Sequence, residues 1–257
     1  MKNIVAIIQA RTSSTRLPGK VFLKLKGKLL IWHVFNRISY SKYINEFVLC
    51  TSTDKSDDEL ENFAKISGIK CFRGSLNNVL ERFYFAAKKY QADIIVRVTA
   101  DDPFKDPKVV DKAIKILMEN DFDYVSNTIK PTYPEGLDIE VFTFEALEMA
   151  YKEAKLHSEK EHVTPYIWKN DKTFNICNFV NKNNISNLRF TLDYEEDFKL
   201  TEIIYDELYR DWNIFYLEDI LNFLSKNPEI TKINSKFIRN EGYIKNIKEE
   251  TKNDKSM

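Results

Sequence analysis

The stretch "IVAIIQARTSSTRLPGKV", residues 4–21, passes from an apolar, β-branched run into a polar segment carrying Arg11, Arg16 and Lys20. The first half reads as a buried strand. A cationic loop at the carboxyl end of such a strand is where an open α/β sheet commonly holds an anion. Thr12, Ser13, Ser14 and Thr15 add hydroxyls, and arginine can grip phosphate oxygens with two parallel donors, so the loop suits a polyphosphate. A solvated surface turn is the alternative reading of the same residues.

The neighbouring sequence repeats the strand style in "EFVLCTS" (46–52) and "ADIIVRVTA" (92–100). Between the apolar runs, helical patterns occupy 29–39, 56–67 and 77–90, the second opening with Ser56 and Glu59 in capping-box spacing. A further helix is predicted over 107–119, with Asp106 as N-cap and Pro107 at its first position. Continuous apolar strands separated by amphipathic helices imply a mostly parallel, Rossmann-like three-layer α/β sheet. From about residue 124 the candidates "DYVSNT", "LDIEVFT", "FNICNFV" and "LRFTLD" come with fewer helices between them, which predicts an antiparallel extension in the second half. Helical patterns return at 195–210 and 216–226. One continuous domain over 1–239 is expected, with 240–257, mixed in charge and poor in apolar residues, read as a flexible tail.

Lys plus Arg and Asp plus Glu number 39 each in the 257 residues, so there is no bulk charge to draw the chain to nucleic acid or an anionic membrane. Three cysteines without CxxC spacing argue against a disulfide framework or zinc site and fit a reducing cytoplasm. No apolar window has the length of a secretory signal core or a membrane span.

Two acidic turns follow apolar strands. In "VRVTADDPF", Asp101 and Asp102 stand at a strand's carboxyl end, where carboxylates can hold Mg²⁺ together with substrate phosphates; a plain Asp-Pro turn gives the same residues. In "LRFTLDYEEDF", Asp193 is a helix N-cap candidate that could share a cation with Asp101 if their strands are neighbours. Asp138 and Glu140 alternate on one side of a strand and could bond sugar hydroxyls or simply face solvent. Glu161 and His162 lie near a helix start, where His162 is a general-base candidate or a structural histidine. Arg97 and Arg189 lie beside the two acidic turns.

Five motifs in order, "IIQARTSSTRLPGKV", "RVTADDP", "PEGLDIEVF" (134–142), "SEKEHVTPYI" (158–167) and "LRFTLDYEEDF" (188–198), resemble the cytidylyltransferase family. The similarity is nearest to spore-coat polysaccharide proteins of the SpsF type and more distant to the synthetases of CMP-linked 3-deoxy-manno-octulosonate and acylneuraminate. The resemblance implies a GT-A-like nucleotidyltransferase fold, with a nucleotide-binding part about 1–125 and an acceptor-binding part about 126–239. It matches Arg11 and Lys20 to phosphate binding, Gln9, Ala10 and Ser13 to the nucleotide site, and Asp101 and Asp193 to Mg²⁺. Asp138, Glu140, Glu161, His162 and Arg189 would face the acceptor, and relatives imply a homodimer. Ala100 and Asp102 depart from the family's usual residues, as does Glu195, where many relatives have Pro.

The activity so implied is transfer of CMP from CTP to a sugar or sugar acid with release of pyrophosphate, with Arg11, Lys20 and Asp101 as the catalytic set. A metal-dependent glycosyltransferase and a non-catalytic nucleotide or sugar sensor are the alternatives.

Overall fold

The computed structural model describes residues 2–254. Strand β1 (Ile4–Gln9) leads through the cationic loop into a small hairpin of β2 (Lys24–Leu25) and β3 (Lys28–Leu29). There follow α1 (Leu30–Ile38), β4 (Glu46–Ser52), α2 (Asp58–Ile66), β5 (Lys70–Gly74), α3 (Val79–Lys89), β6 (Ile94–Thr99) and α4 (Pro107–Glu119). The second half runs β7 (Tyr124–Ser126), β8 (Glu140–Thr143), α5 (Phe144–Glu153), α6 (His157–His162), α7 (Pro165–Lys169), β9 (Ile176–Asn178), α8 (Glu195–Leu208), α9 (Leu217–Lys226) and α10 (Glu241–Asp254).

The central sheet has the order β5-β4-β1-β6-β8-β7-β9. β5, β4, β1 and β6 are mutually parallel, whereas β8 runs against both β6 and β7. This is the mixed α/β sheet with an antiparallel extension that the strand patterns predict. β1 shows why its sequence is apolar throughout. Ile4, Ala6 and Ile8 pack on one face with α1 and α4, while Val5 and Ile7 pack on the other with α3 and α5. Asp106 caps α4 through the Lys108 N–H at 2.8 Å, with Pro107 in its first turn.

Three local readings differ from the structure. "LRFTLD" is not a strand: Arg189 makes an isolated bridge to Glu135, and Leu192 N–H donates to the Asp101 carbonyl at 2.9 Å. Its backbone bonds are spent on loops, which place Asp193 beside the Asp101 turn. Ser56 and Glu59 form no capping box; Asp54 accepts from Ser56 N–H, and Asp57 turns toward the cationic loop. The segment read as a flexible tail carries helix α10, whose side chains reach back onto the domain; residues 255–257 of that reading lie outside the described residues.

Candidate active site

The sheet register places Gln9, the last residue of β1, beside Thr99, the last of β6, so the loops leaving both strands share one edge. The loop after β1 is braced by Asp57, which accepts from Thr12 N–H at 2.8 Å, from Thr12 Oγ1 at 2.9 Å and from Ser52 Oγ at 2.5 Å. Gly19 takes a left-handed conformation (φ 68°), which lets the chain reverse into a short 3-10 turn and send Lys20 inward.

Lys20 Nζ lies 2.6 Å from Asp101 Oδ2, 2.8 Å from Asp193 Oδ1 and 2.8 Å from the Leu192 carbonyl. The two acidic turns that stand far apart in sequence therefore converge on a single ammonium. Burial by itself would lower the Lys20 pKa, but Asp101 and Asp193 overcome it and hold it above the ordinary lysine value. Burial would likewise raise Asp193, and the charges of Lys20, Arg16 and Arg189 press it below the usual carboxylate range. Arg16 closes the cluster, 2.6 Å from Asp193 and 3.0 Å from Glu241.

Asp193 does not cap α8. That task falls to Asp197, which accepts from the N–H groups of Asp193 (2.9 Å) and Tyr194 (3.0 Å) and leaves the Asp193 carboxylate free to face Lys20. Asp102 also points away, accepting from Thr99 Oγ1 and pairing with Lys105 at 2.8 Å. Arg189 is a clamp behind Asp193 rather than a wall of the site: it is buried among Glu135 (2.5 Å), Asp197 (2.9 Å) and Asp193 (3.1 Å) and lines neither cavity described below.

Two cavities meet at this cluster. The larger, about 790 Å³, is lined by Gln9, Ala10, Arg11, Ser14, Thr15, Arg16, Lys20 and Asp101, with Arg82 and residues of α10 completing it. Its volume is in the range of small-molecule sites. Ser13 does not line it; Ser14 and Thr15 do. From sequence Arg82 reads either as a phosphate or carboxylate binder or as an arginine on an exposed helix face; it is instead 2% exposed, lines this cavity and has an Nε with no partner among the described residues. Such an orphaned donor is costly unless a ligand satisfies it. Its signal in the sequence is faint, one arginine on a helix.

The smaller cavity, about 460 Å³, is lined by Asp138, Glu140, Glu135, Arg97, Lys105 and Thr164. Here Asp138 and Glu140 do come together at the start of β8, and β8's direction is what brings them to the same edge as Gln9 and Thr99. Glu140 is pinned by Arg97, by Tyr124 OH at 2.6 Å and by Thr164 Oγ1 at 2.5 Å; these outweigh burial and lower its pKa. Burial raises Glu135 to about 7 and Asp138 to about 6, although Arg189 and Arg239 respectively oppose it. His162 faces both cavities, and burial followed by the Arg97 charge lowers it to about 4, leaving a neutral ring and a weak base at pH 7. Glu161 lines the larger cavity and lies 3.7 Å from Arg11.

No three or more His, Cys, Asp or Glu form a metal cage among the described residues. Asp101 and Asp193 nevertheless present hard oxygens to one point, currently held by Lys20, and such a pair fits a Mg²⁺ ion whose other ligands are phosphate and water.

A family model described as Cytidylyltransferase matches residues 5–233. The chain belongs to the cytidylyltransferase family. A cytidylyltransferase from Leptospira borgpetersenii serovar Hardjo-bovis (strain JB197) superposes with a TM-score of 0.87 at 32% identity, covering 93% of this chain and 100% of the other. The spore coat polysaccharide biosynthesis protein SpsF of Bacillus subtilis (strain 168) is 30% identical over 241 residues, 89% of this chain and 97% of that protein. A 3-deoxy-manno-octulosonate cytidylyltransferase of Geobacter sulfurreducens is 33% identical over 118 residues, 46% of each chain. This cytidylyltransferase is thus an enzyme of nucleotidyl transfer that uses CTP. No helix among its described residues is long and apolar enough to cross a membrane, and its cysteines are free.

Proposed function

We propose that the protein transfers CMP from CTP to a hydroxyl-bearing sugar or sugar-acid acceptor and releases pyrophosphate. The observation that carries this reading is the convergence of Lys20, Asp101 and Asp193 where a cation-rich cavity and an acid-rich cavity join. The larger cavity takes the triphosphate against Arg11, Arg16 and Lys20, and Gln9 and Ala10 line it at the sheet edge. The smaller takes the acceptor, whose hydroxyls donate to Asp138, Glu140 and Glu135.

The acceptor's hydroxyl oxygen, giving up its proton to solvent, then attacks the α-phosphorus, the bond to the bridging β-oxygen breaks, and pyrophosphate departs with the bonding pair. Lys20 and Arg11 neutralise the charge that grows on the leaving group. Asp101 and Asp193 would hold Mg²⁺, which would supply charge neutralisation at the phosphate oxygens. The relatives named for spore coat polysaccharide and 3-deoxy-manno-octulosonate support a sugar or sugar acid as acceptor.

The test is a grid of nucleoside triphosphates against sugar phosphates and ulosonic acids with Mg²⁺, read as pyrophosphate release. CTP is expected to give signal with a subset of acceptors. Asp101→Asn should lower that rate by about 100-fold or more while the melting temperature stays within a few degrees. Wild-type-like release from Asp101→Asn would remove Asp101 from the reaction; a silent grid in which CTP also fails to shift the melting temperature would sink the whole reading.

A further inference from the structure

Helix α10 begins eight residues beyond the end of the family match at residue 233, yet it forms part of the larger cavity. Its side chains divide into two stripes. Tyr243, Asn246 and Glu250 fall on one face at helical spacing and dock the helix on α6 and α7. The Tyr243 ring meets His162 (5.2 Å) and Trp168 (5.8 Å) edge-on, Asn246 Nδ2 donates to Glu161 Oε2 at 2.6 Å, and Glu250 accepts from Ser158 N–H at 2.6 Å and Ser158 Oγ at 2.9 Å. These contacts set the helix's rotation about its axis.

The other stripe is Glu241, Lys245 and Lys248, spaced i, i+4, i+7, and all three line the larger cavity. Glu241 accepts from Arg16 at 3.0 Å and from Tyr194 OH at 2.5 Å, which ties the helix start to the cationic loop. Lys245 and Lys248 are solvent-exposed at the cavity rim, and among the described residues neither has an ion-pair partner. Their charges are thus available to an anion in the same cavity as Arg11, Arg16 and Lys20.

We propose that α10 is a wall of the nucleotide site, in which Lys245 and Lys248 bind the triphosphate from the side opposite in sequence to the opening loop, at the chain's other end. This rests on the nucleotidyl-transfer reading above. A polyanion of three phosphates presents more oxygens than Arg11, Arg16 and Lys20 can cover while Arg16 and Lys20 also face carboxylates, and two unpaired ammonium groups on a docked helix supply the remainder.

The experiment compares the full-length wild type with Lys245→Ala/Lys248→Ala and Lys245→Arg/Lys248→Arg, using calorimetry with tripolyphosphate, CTP and cytidine, and thermal melts without ligand. The alanine pair is expected to weaken tripolyphosphate and CTP binding by about tenfold, to leave cytidine binding and the melting temperature unchanged, and to be rescued by the arginine pair. Unchanged tripolyphosphate affinity in the alanine pair overturns the proposal. So does an equal loss for cytidine, which marks the helix as a structural support only. If the wild type binds neither CTP nor tripolyphosphate, the fault lies with the nucleotide reading itself.

Discussion

Lys20 joins two carboxylates that are 92 positions apart, and this shows what a residue-level reading can and cannot reach. Each Asp is visible as the end of an apolar run, and the family resemblance assigns both to a cation; that the cation in the free protein is the chain's own lysine depends on side-chain direction, which no spacing encodes. The same limit explains Arg189, whose position beside Asp193 is legible but whose guanidinium turns inward to Glu135 and Asp197. It explains Ser13 and Ser14 as well, since one residue's rotation in a turn decides which hydroxyl faces the cavity.

Buried histidines give a prediction at this scale. His33 lies within 2.8 Å of the Leu25 carbonyl, and burial lowers its pKa from 6.5 to about 4 despite that bond. The unfolded chain therefore takes up a proton before the folded one does. Stability is fully present above pH 6.5 and falls as pH drops toward 4, by up to about 3 kcal/mol for this group. In His33→Leu the fall in melting temperature over that window should be smaller than in the wild type, and identical slopes would refute the assignment. His162 carries the same sign and remains in both proteins, so the difference isolates His33.

Among elements, the parallel half follows the sequence closely because its helices carry apolar stripes, and α3 and α4 have start signals of their own at Asn78 and Asp106. The second half is less legible. "LRFTLD" has a strand's composition but is held by two backbone bonds to Glu135 and one to Asp101. α10 has few apolar residues, and its docking comes from Tyr243, Asn246 and Glu250 rather than from a hydrophobic face, so an apolar-pattern reading takes it for a tail.

The approach of the loop before β8 to this extended segment is close at Gly136, with φ 98°; a Cβ there would lie 2.5 Å from backbone atoms of Phe190 and Thr191. Gly136→Ala should cost about 2 kcal/mol or more and shift Asp193, two residues beyond Thr191. A chemical denaturation midpoint equal to the wild type's would contradict that steric account.

For the whole molecule, 39 basic and 39 acidic residues cancel, yet the cavities differ in sign, and at their junction the charges neutralise each other. Lys20 and Arg16 hold Asp101 and Asp193 before any substrate arrives. Under the proposed function a triphosphate would compete for the cations and Mg²⁺ for the carboxylates, so each ligand would release the partner that the other requires. CTP with Mg²⁺ should then raise the melting temperature by more than the sum of the separate shifts, because coupled binding adds stability beyond two independent sites. Additive shifts in thermal melts would show that the ion pairs do not exchange.

The reversed direction of β8 has an evolutionary consequence. The residues proposed to hold the nucleotide leave the ends of β1 and β6, whereas Asp138 and Glu140, proposed to face the acceptor, stand at a strand's beginning, reached by the connection from β7. Under that proposal, changes of length or composition between residues 127 and 139 would recast the acceptor's surroundings while the three parallel crossovers stay untouched. One scaffold would then diversify the molecule it modifies without relearning how to hold the donor.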